Sequence, residues 1–350
     1  MPVLNPPGAP TGDLTNQDII AISRFLNDPT MLYRALRTIA DQMYVSDKIL
    51  KAQIFTESGS IIYEQIESIF AGRQPQPVEP GGEYPLAPIP TGPAQIASTV
   101  KWGLDTLIFD ESIARQNWQP LQTALVKLIN SLVDTVDSNA MSAVVAAITQ
   151  TQGAGASSIG GALSGTDHAY WDGSGTKTPN ILRDVMLADQ QMRQLKQGYN
   201  GDAVLCDLET FAIVFSDPNL NARWAREDIG SSGVTAMPIF EGLNSSMAGK
   251  LAGKLWLGSP NLPSAPYAAV IDTKVFGGMC DEKLPAPGYT GATTPGADAD
   301  GGGGAGRSLV QTKSMRQDEK DRWRVRARRV TTPFIVEPDA AVEITGILPA

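Results

Sequence analysis

Between Pro120 and Ile148 apolar residues return every three or four positions: Leu121, Leu125, Leu128, Leu132, Val136, Ala140 and Val144, with Ile129 and Val133 widening the stripe. That spacing places them on one face of an α-helix. At 1.5 Å per residue the rod is roughly 40 Å long, enough to serve as the backbone of a flat subunit. Pro120 divides the rod from a short helix that begins near Asp110-Glu111.

The same reading marks further elements. Thr15 with Asp18 forms a capping-box-like start to a helix carrying Ile19, Ile22 and Leu26 on one face. Asp28-Pro29 opens a second, with Leu32, Leu36, Ile39, Ala40 and Met43 in register. After a Gly/Ser/Thr-rich stretch, Gly153 to Thr178, read as a surface loop, Leu182, Val185, Met186 and Met192 mark a helix face ended by Gly198. Ala203 to Cys206 reads as a buried strand. Asp207 is the candidate cap of a helix from Phe211 to Phe215. Short strands are expected at Thr235 to Phe240, Lys254 to Leu257, Tyr267 to Asp272, Trp323 to Val330, Phe334 to Val336 and Ala341 to Ile347. Gly288 to Gly306 is low-complexity loop.

The segment ahead of the long helix breaks the pattern. From Arg73 to Pro93 it carries prolines 75, 77, 80, 85, 88, 90 and 93, with Gly81, Gly82 and Gly92. Apolar β-capable runs flank it: Ile54-Phe55 and Ile61-Ile62-Tyr63 before, Ile96 to Ile108 after. This reads as an extended two-stranded excursion with a stiff tip that forms few hydrogen bonds. A two-stranded ribbon is marginal in water by itself. It calls for a surface on another subunit, and points to a building block rather than a catalyst.

Composition narrows the class. The 350 residues are 42% hydrophobic and 19% charged, ordinary for a globular chain of about two domains. A net charge of −9 argues against a nucleic-acid binder as a whole, and suits the wall of a container for a polyanion. The start, Met1-Pro2-Val3-Leu4, lacks a basic and apolar leader, so no targeting segment is expected. No apolar run reaches membrane-spanning length. Cys206 and Cys280 are read as packed thiols outside any disulfide framework.

Candidate chemistry is sparse. Gly301 to Ser308 matches the spacing of a phosphate-binding loop, with Arg307 in place of the lysine, but such a loop needs a buried strand before it and a helix after. Here Thr290 to Gly296 reads as loop, so the glycine run is taken as flexible surface. Asp298-Ala299-Asp300-Gly301 begins like a calcium loop without the later carboxylate. His168, the only histidine, lies beside Asp167 in a loop. No catalytic residue, cofactor or metal site is expected.

One basic feature is concentrated. In Arg322-Trp323-Arg324-Val325-Arg326-Ala327-Arg328-Arg329-Val330, arginine alternates with apolar residues at period two, a strand with one basic face. The face could meet a neighbouring subunit's carboxylates, lie solvated beside Asp318, Glu319 and Asp321, or touch DNA.

Three segments taken together resemble the major capsid proteins of tailed bacteriophages. Lys101-Trp102-Gly103 with the step to Phe109-Asp110-Glu111 is similar to the family's passage from extended loop to spine helix. Gly201 to Thr210 is similar to its axial-domain strand-turn-helix, and Pro333 to Gly346 to its closing strands. The likeness covers most of the chain. It implies an α+β subunit with an N-terminal arm and helices (1–50), an extended β-loop (51–103) laid over an adjacent subunit, a peripheral domain with the spine helix (104–178 and 305–350), and an axial domain (179–304). Copies would assemble through hexamers and pentamers into an icosahedral shell around double-stranded DNA, in the host bacterial cytoplasm, as part of the virion. Portal, scaffold and decoration proteins would be further partners, DNA contact non-specific, and membrane absent. The same fold in a nanocompartment shell enclosing cargo enzymes is the alternative. The candidate subunit-contact residues are Arg73, Glu79, Glu83 and Tyr84 on the excursion and Arg322, Arg324, Arg326 and Arg328 on the basic strand. Some family members cross-link through a lysine near the loop tip. None stands between Lys51 and Lys101, so no such bond is expected. With the first helix starting by about Thr15, any scaffold is expected to be separate or already absent, and the starting Met1 favours a separate one or none.

Overall fold

A computed structural model describes residues 45–65, 73–87, 92, 94–111, 120–161, 169–217, 248–251, 253–282, 284, 289 and 310–349. The helices expected from Thr15 and Pro29, the Thr235 to Phe240 strand, His168 and the Asp298 to Ser308 loop lie outside them.

The apolar stripe forms the helix it predicts, α2 (Pro120–Ala147), preceded by a single turn, α1 (Ser46–Ile49). Leu125, Leu128, Leu132, Val136, Ala140 and Val144 are buried with Ile129 and Val133. The helix packs across β4 (Val100–Phe109) and the long β12 (Arg322–Ile335). β12 is the spine of a five-stranded sheet. One edge pairs antiparallel with β4; the other pairs with β11 (Gln311–Gln317) and then β10 (Gly277–Glu282). β1 (Ala52–Thr56) closes the sheet, parallel to β10.

A second sheet has six strands in the order β5 (Gln150–Gly153), β13 (Ala341–Thr345), β9 (Ala268–Ile271), β6 (Ala203–Cys206), β8 (Lys254–Gly258), β7 (Ala248–Leu251). β6 and β9 are continuous buried runs, the signature of strands covered on both faces. α3 (Ile181–Gln194) lays Ile181, Val185, Ala188 and Met192 into this core, and its N-cap Asn180 accepts from Arg183 N. α4 (Leu208–Ser216) is capped as its sequence suggests: Asp207 accepts from Glu209 N and Thr210 N.

Three expectations change. Among the described residues of the proposed excursion, only β2 (Ser60–Glu64) and β3 (Ala94–Ser98) pair as a ribbon. Ile54-Phe55 lie in β1 and Val100 to Ile108 in β4, both inside the first sheet. β10 belongs to the first sheet, and β5 and β13 to the second. Gly153 to Thr178 is not simply surface, since Ala154, Ala156, Ala169 and Trp171 are buried. Asp184 of α3 holds this segment down, accepting from Trp171 Nε1 at 2.9 Å and Gly155 N at 3.0 Å. Finally, Phe334-Ile335 do not start a new strand. β12 runs through Pro333, which lies past the last β4 pair, Val100 with Thr331, where the strand needs a partner on one side only.

Candidate subunit-contact face

Strand register decides what each arginine of β12 meets. Arg322, Arg324, Arg326 and Arg328 stand opposite Phe109, Leu107, Asp105 and Gly103 of β4, and opposite Gln317, Met315, Lys313 and Gln311 of β11. Cross-strand partners share a face, so the row forms one sheet surface as the alternation predicts.

Asp105 is set between two guanidinium groups. Its Oδ1 accepts from Arg326 Nε at 2.5 Å, and its Oδ2 from Arg326 Nη2 at 2.8 Å and Arg324 Nε at 2.6 Å. Hydrogen bonding from Arg326 is the main reason its carboxyl is held below the usual carboxylate range; burial opposes it, and a further bond from Arg324 adds to the lowering. Arg322 Nε donates to Gln317 Oε1 at 2.6 Å.

Arg328 differs from the rest. Opposite it, Gly103 brings no side chain, and a Cβ there would lie 3.1 Å from Arg328 Cβ. Arg328 is only 3% exposed. It donates to Gln311 Oε1 at 2.7 Å and Leu284 O at 2.9 Å, and its guanidinium stacks 3.7 Å from the Tyr289 ring centre. Asp318 and Asp321 do not serve the row: they pair with Arg316, together with Asp110. Arg324 and Arg326 are half-buried around the Asp105 carboxylate and Arg322 is half-buried against Gln317, beside Leu107 and Phe109, which are 41% and 45% exposed.

The excursion residues lie elsewhere. Glu79-Pro80-Gly81-Gly82 forms a tight turn, closed by Gly82 N to Glu79 O at 2.8 Å, with Gly81 at φ 86°. Pro in the second position and Gly at positive φ in the third are what a type II turn requires. Arg73 Nη2 donates to Gln76 Oε1. Glu79, Glu83 and Tyr84 are exposed. Among the described residues no hydrogen bond or ion pair joins 73–87 to the β12 arginines. The ribbon exposes one face, the cross-strand pair Ile62 and Ile96 at 70% and 69%. Its other face is anchored by Tyr63 against Phe334, ring centres 5.6 Å apart, and by Gln65 Nε2 to Ile335 O at 3.4 Å.

Sequence reasoning missed Arg329. It is wholly buried and held between Asp47 and Asp281. The doublet Arg328-Arg329 was the signal, because in a period-two strand one of the two must point into the core. It also missed Asp137, which occupies the buried stripe of α2 between Val133 and Met141 and accepts from Val45 N at 2.9 Å, Ser46 N at 3.2 Å and Ser46 Oγ at 2.5 Å. Burial pushes its carboxyl up. Among the described residues no group of His, Cys, Asp and Glu is placed to hold a metal ion, and no helix is long and apolar enough to cross a membrane.

A family model described as phage capsid protein matches residues 93–344. No curated protein matches the chain. Among solved structures, a chain of Microbacterium phage Oxtober96 superimposes with a TM-score of 0.51 at 9% identity, covering 86% of this chain and 90% of that one. The capsid structure of cyanophage P-SCSP1u gives 0.48 at 14% identity, covering 84% and 85%. The holo-SrpI encapsulin complex of Synechococcus elongatus PCC 7942 gives 0.48 at 9% identity, covering 87% and 88%. The α+β architecture is the tailed-phage major capsid fold. With the family match spanning well over half of its length, the chain belongs to the phage capsid protein family.

Proposed function

We propose that copies of this chain assemble through hexamers and pentamers into an icosahedral shell that encloses double-stranded DNA, built in the bacterial cytoplasm and carried in the virion. The observation that carries this reading, beside the family match, is the β2–β3 ribbon. It holds Ile62 and Ile96 in solvent on a two-stranded element that is marginal alone, so a neighbouring subunit is the natural cover. The excursion then lies over an adjacent copy. The five-stranded sheet with α2 serves as the peripheral body, and the six-stranded sheet with α3 and α4 as the axial body. Arg73, Glu79, Glu83, Tyr84 and the half-buried arginines of β12, Arg322, Arg324 and Arg326, serve as subunit contacts. Portal, scaffold and decoration proteins are the further partners, and contact with DNA is non-specific, in keeping with the net charge of −9.

Electron microscopy of the protein, expressed alone and with its neighbouring genes, tests the reading. Closed shells, tubes or capsomer rings are expected. Removing residues 73–93 should leave a folded subunit that closes no shells, and normal particles from that variant would overturn the role given to the excursion.

A further inference from the structure

The segment that carries the chain from α3 into β6 contains a chemically labile pair. Asn200-Gly201 is the only Asn-Gly step in the sequence. An asparagine before glycine is open to attack on its side-chain carbon Cγ by the glycine's backbone nitrogen, because glycine neither shields that nitrogen nor restricts the turn the backbone must make. The N–Cγ bond forms, the Cγ–Nδ2 bond breaks, and ammonia leaves with the proton from the glycine nitrogen. Water then opens the cyclic imide to aspartate or to isoaspartate, in which the backbone runs through the former side chain. Asn200 is exposed, so that water is at hand.

The groups that must move for this reaction are all tied. Gly201 N donates to Asp189 Oδ1 at 2.9 Å, and Gly201 O accepts from Lys254 Nζ at 2.5 Å. Asp189 is itself fixed by Lys254 Nζ at 3.1 Å and by Arg193 Nε at 2.9 Å. Asn200 N donates to Asp272 Oδ2 at 2.9 Å, and Asn200 Oδ1 accepts from Arg193 Nη2. Room is lacking too. A Cβ on Gly201 would lie 2.6 Å from Val270 Cγ1 and 2.8 Å from Met192 Cε, so this peptide cannot swing inside its packing. Ring closure requires the nitrogen to be carried over Cγ with its lone pair aimed at that carbon. A buried N–H held on a carboxylate reaches that geometry only after the bond to Asp189 breaks.

We propose that Asn200-Gly201 is a latent self-modification site, kept unreactive by Asp189 and Arg193, which deamidates when the segment between α3 and β6 opens. Isoaspartate adds a carbon to the backbone and shifts Gly201 N away from Asp189, so a subunit modified this way does not reclose. The change is a permanent mark of subunits that have opened at this place. The proposal is independent of the shell reading.

Incubating the full-length chain in mildly alkaline buffer below its melting temperature tests it, with peptide mass spectrometry of residue 200 as the readout. The rate in denaturant is the unprotected reference. Native wild type should deamidate at least about tenfold more slowly, since only the opened fraction reacts. Asp189→Ala should raise the native rate about tenfold, while hydrogen exchange of the β6 amides rises by less, as a local opening requires. If Asp189→Ala does not fold, Arg193→Gln decides: its side chain is exposed, and freeing Asn200 Oδ1 should raise the rate about threefold or more. A native rate equal to the denatured one, or folded variants no faster than wild type, overturns the lock. A rise in Asp189→Ala that β6 exchange matches would reflect whole-subunit unfolding and also overturns it. Native wild type faster than the denatured chain would make Asp189 a base and Arg193 an activator of the side-chain carbonyl, the opposite of a lock.

Discussion

Arg329 of β12 and Asp281 of β10 lie side by side inside the subunit, with Arg329 Nε 2.9 Å from Asp281 Oδ1 and the guanidinium wholly out of solvent. Asp47 of α1 takes the other edge, at 3.1 Å from Nη1 and 2.9 Å from Nη2. A single buried cation thus ties the turn after residue 45 to two strands of the first sheet. Replacing it by an apolar residue of similar length takes the guanidinium away from two carboxylates held in the interior. Arg329→Met should therefore cost about 3–5 kcal/mol. Arg329→Lys should recover only part, since an ammonium cannot fork to both acids. Urea unfolding midpoints of the unassembled subunit read both values, and a midpoint unchanged in the methionine variant would contradict the role.

Asp105 gives a pH signature. Hydrogen bonding from Arg326 holds its folded carboxyl below the unfolded value of about 3.9. A group with a depressed folded pKa contributes fully above the unfolded value and loses that contribution as pH falls through the folded one. Its partners are about one-third exposed, so Asp105→Asn should cost only about 1 kcal/mol at neutral pH. The gap in melting temperature between wild type and variant should close as pH drops below the carboxylate range. A gap that widens in acid would exclude the assignment.

Much of this architecture was legible. The Leu125 to Val144 stripe forms the helix it describes, Asp207 caps the helix that follows it, and the alternation from Arg322 marks one face of a strand. Less legible were long-range pairings. Nothing local says that Ile54-Phe55 joins β10, more than 200 positions away, rather than the nearby ribbon, because an apolar β-capable run fits either. The arginine row was visible as a row, but its counter-charge was not. Asp105 is assigned by the β4–β12 register, whereas sequence proximity points to Asp318 and Asp321. Buried polar groups such as Asp137 and Arg329 stood at core positions of their own periodicities, and that misfit was the available signal.

Asp137 organises the turn that precedes β1. Its carboxylate takes both Val45 N and Ser46 N, amides that an isolated turn would leave without acceptors. Asp137→Leu fits the apolar stripe of α2 but orphans those donors, at a cost of about 1–3 kcal/mol. Hydrogen exchange separates this from a general loss of stability. The Val45 and Ser46 amides should lose protection relative to β6, where Ala203 to Cys206 are buried. Equal loss everywhere would argue against a local cap.

The two thiols should be inert in the folded subunit. Burial pushes Cys206 far above the ordinary range and Cys280 up to about 11, the latter helped by Asp281 and Glu282. Only the thiolate reacts, so a disulfide reagent at neutral pH should label neither residue in native protein and both in denaturant. Fast native labelling of either would show that its strand opens.

Gly278 controls how the N-terminal strand is held. Register places it beside Ala52, and a Cβ on it would fall 1.8 Å from Ala52 O, a backbone atom with no rotamer to yield. Its neighbour Gly277 meets Phe334 O at 2.4 Å in the same way on the β12 side. The two glycines let β10 lie close to a strand on each edge. Gly278→Ala should therefore separate β1 from β10 without unravelling the six-stranded sheet, which shares no strand with this pairing. Limited proteolysis should cut between residues 51 and 59 in the variant at protease levels the wild type resists. If those residues stay protected and the melting temperature is unchanged, β1 is not held where the parallel pairing puts it.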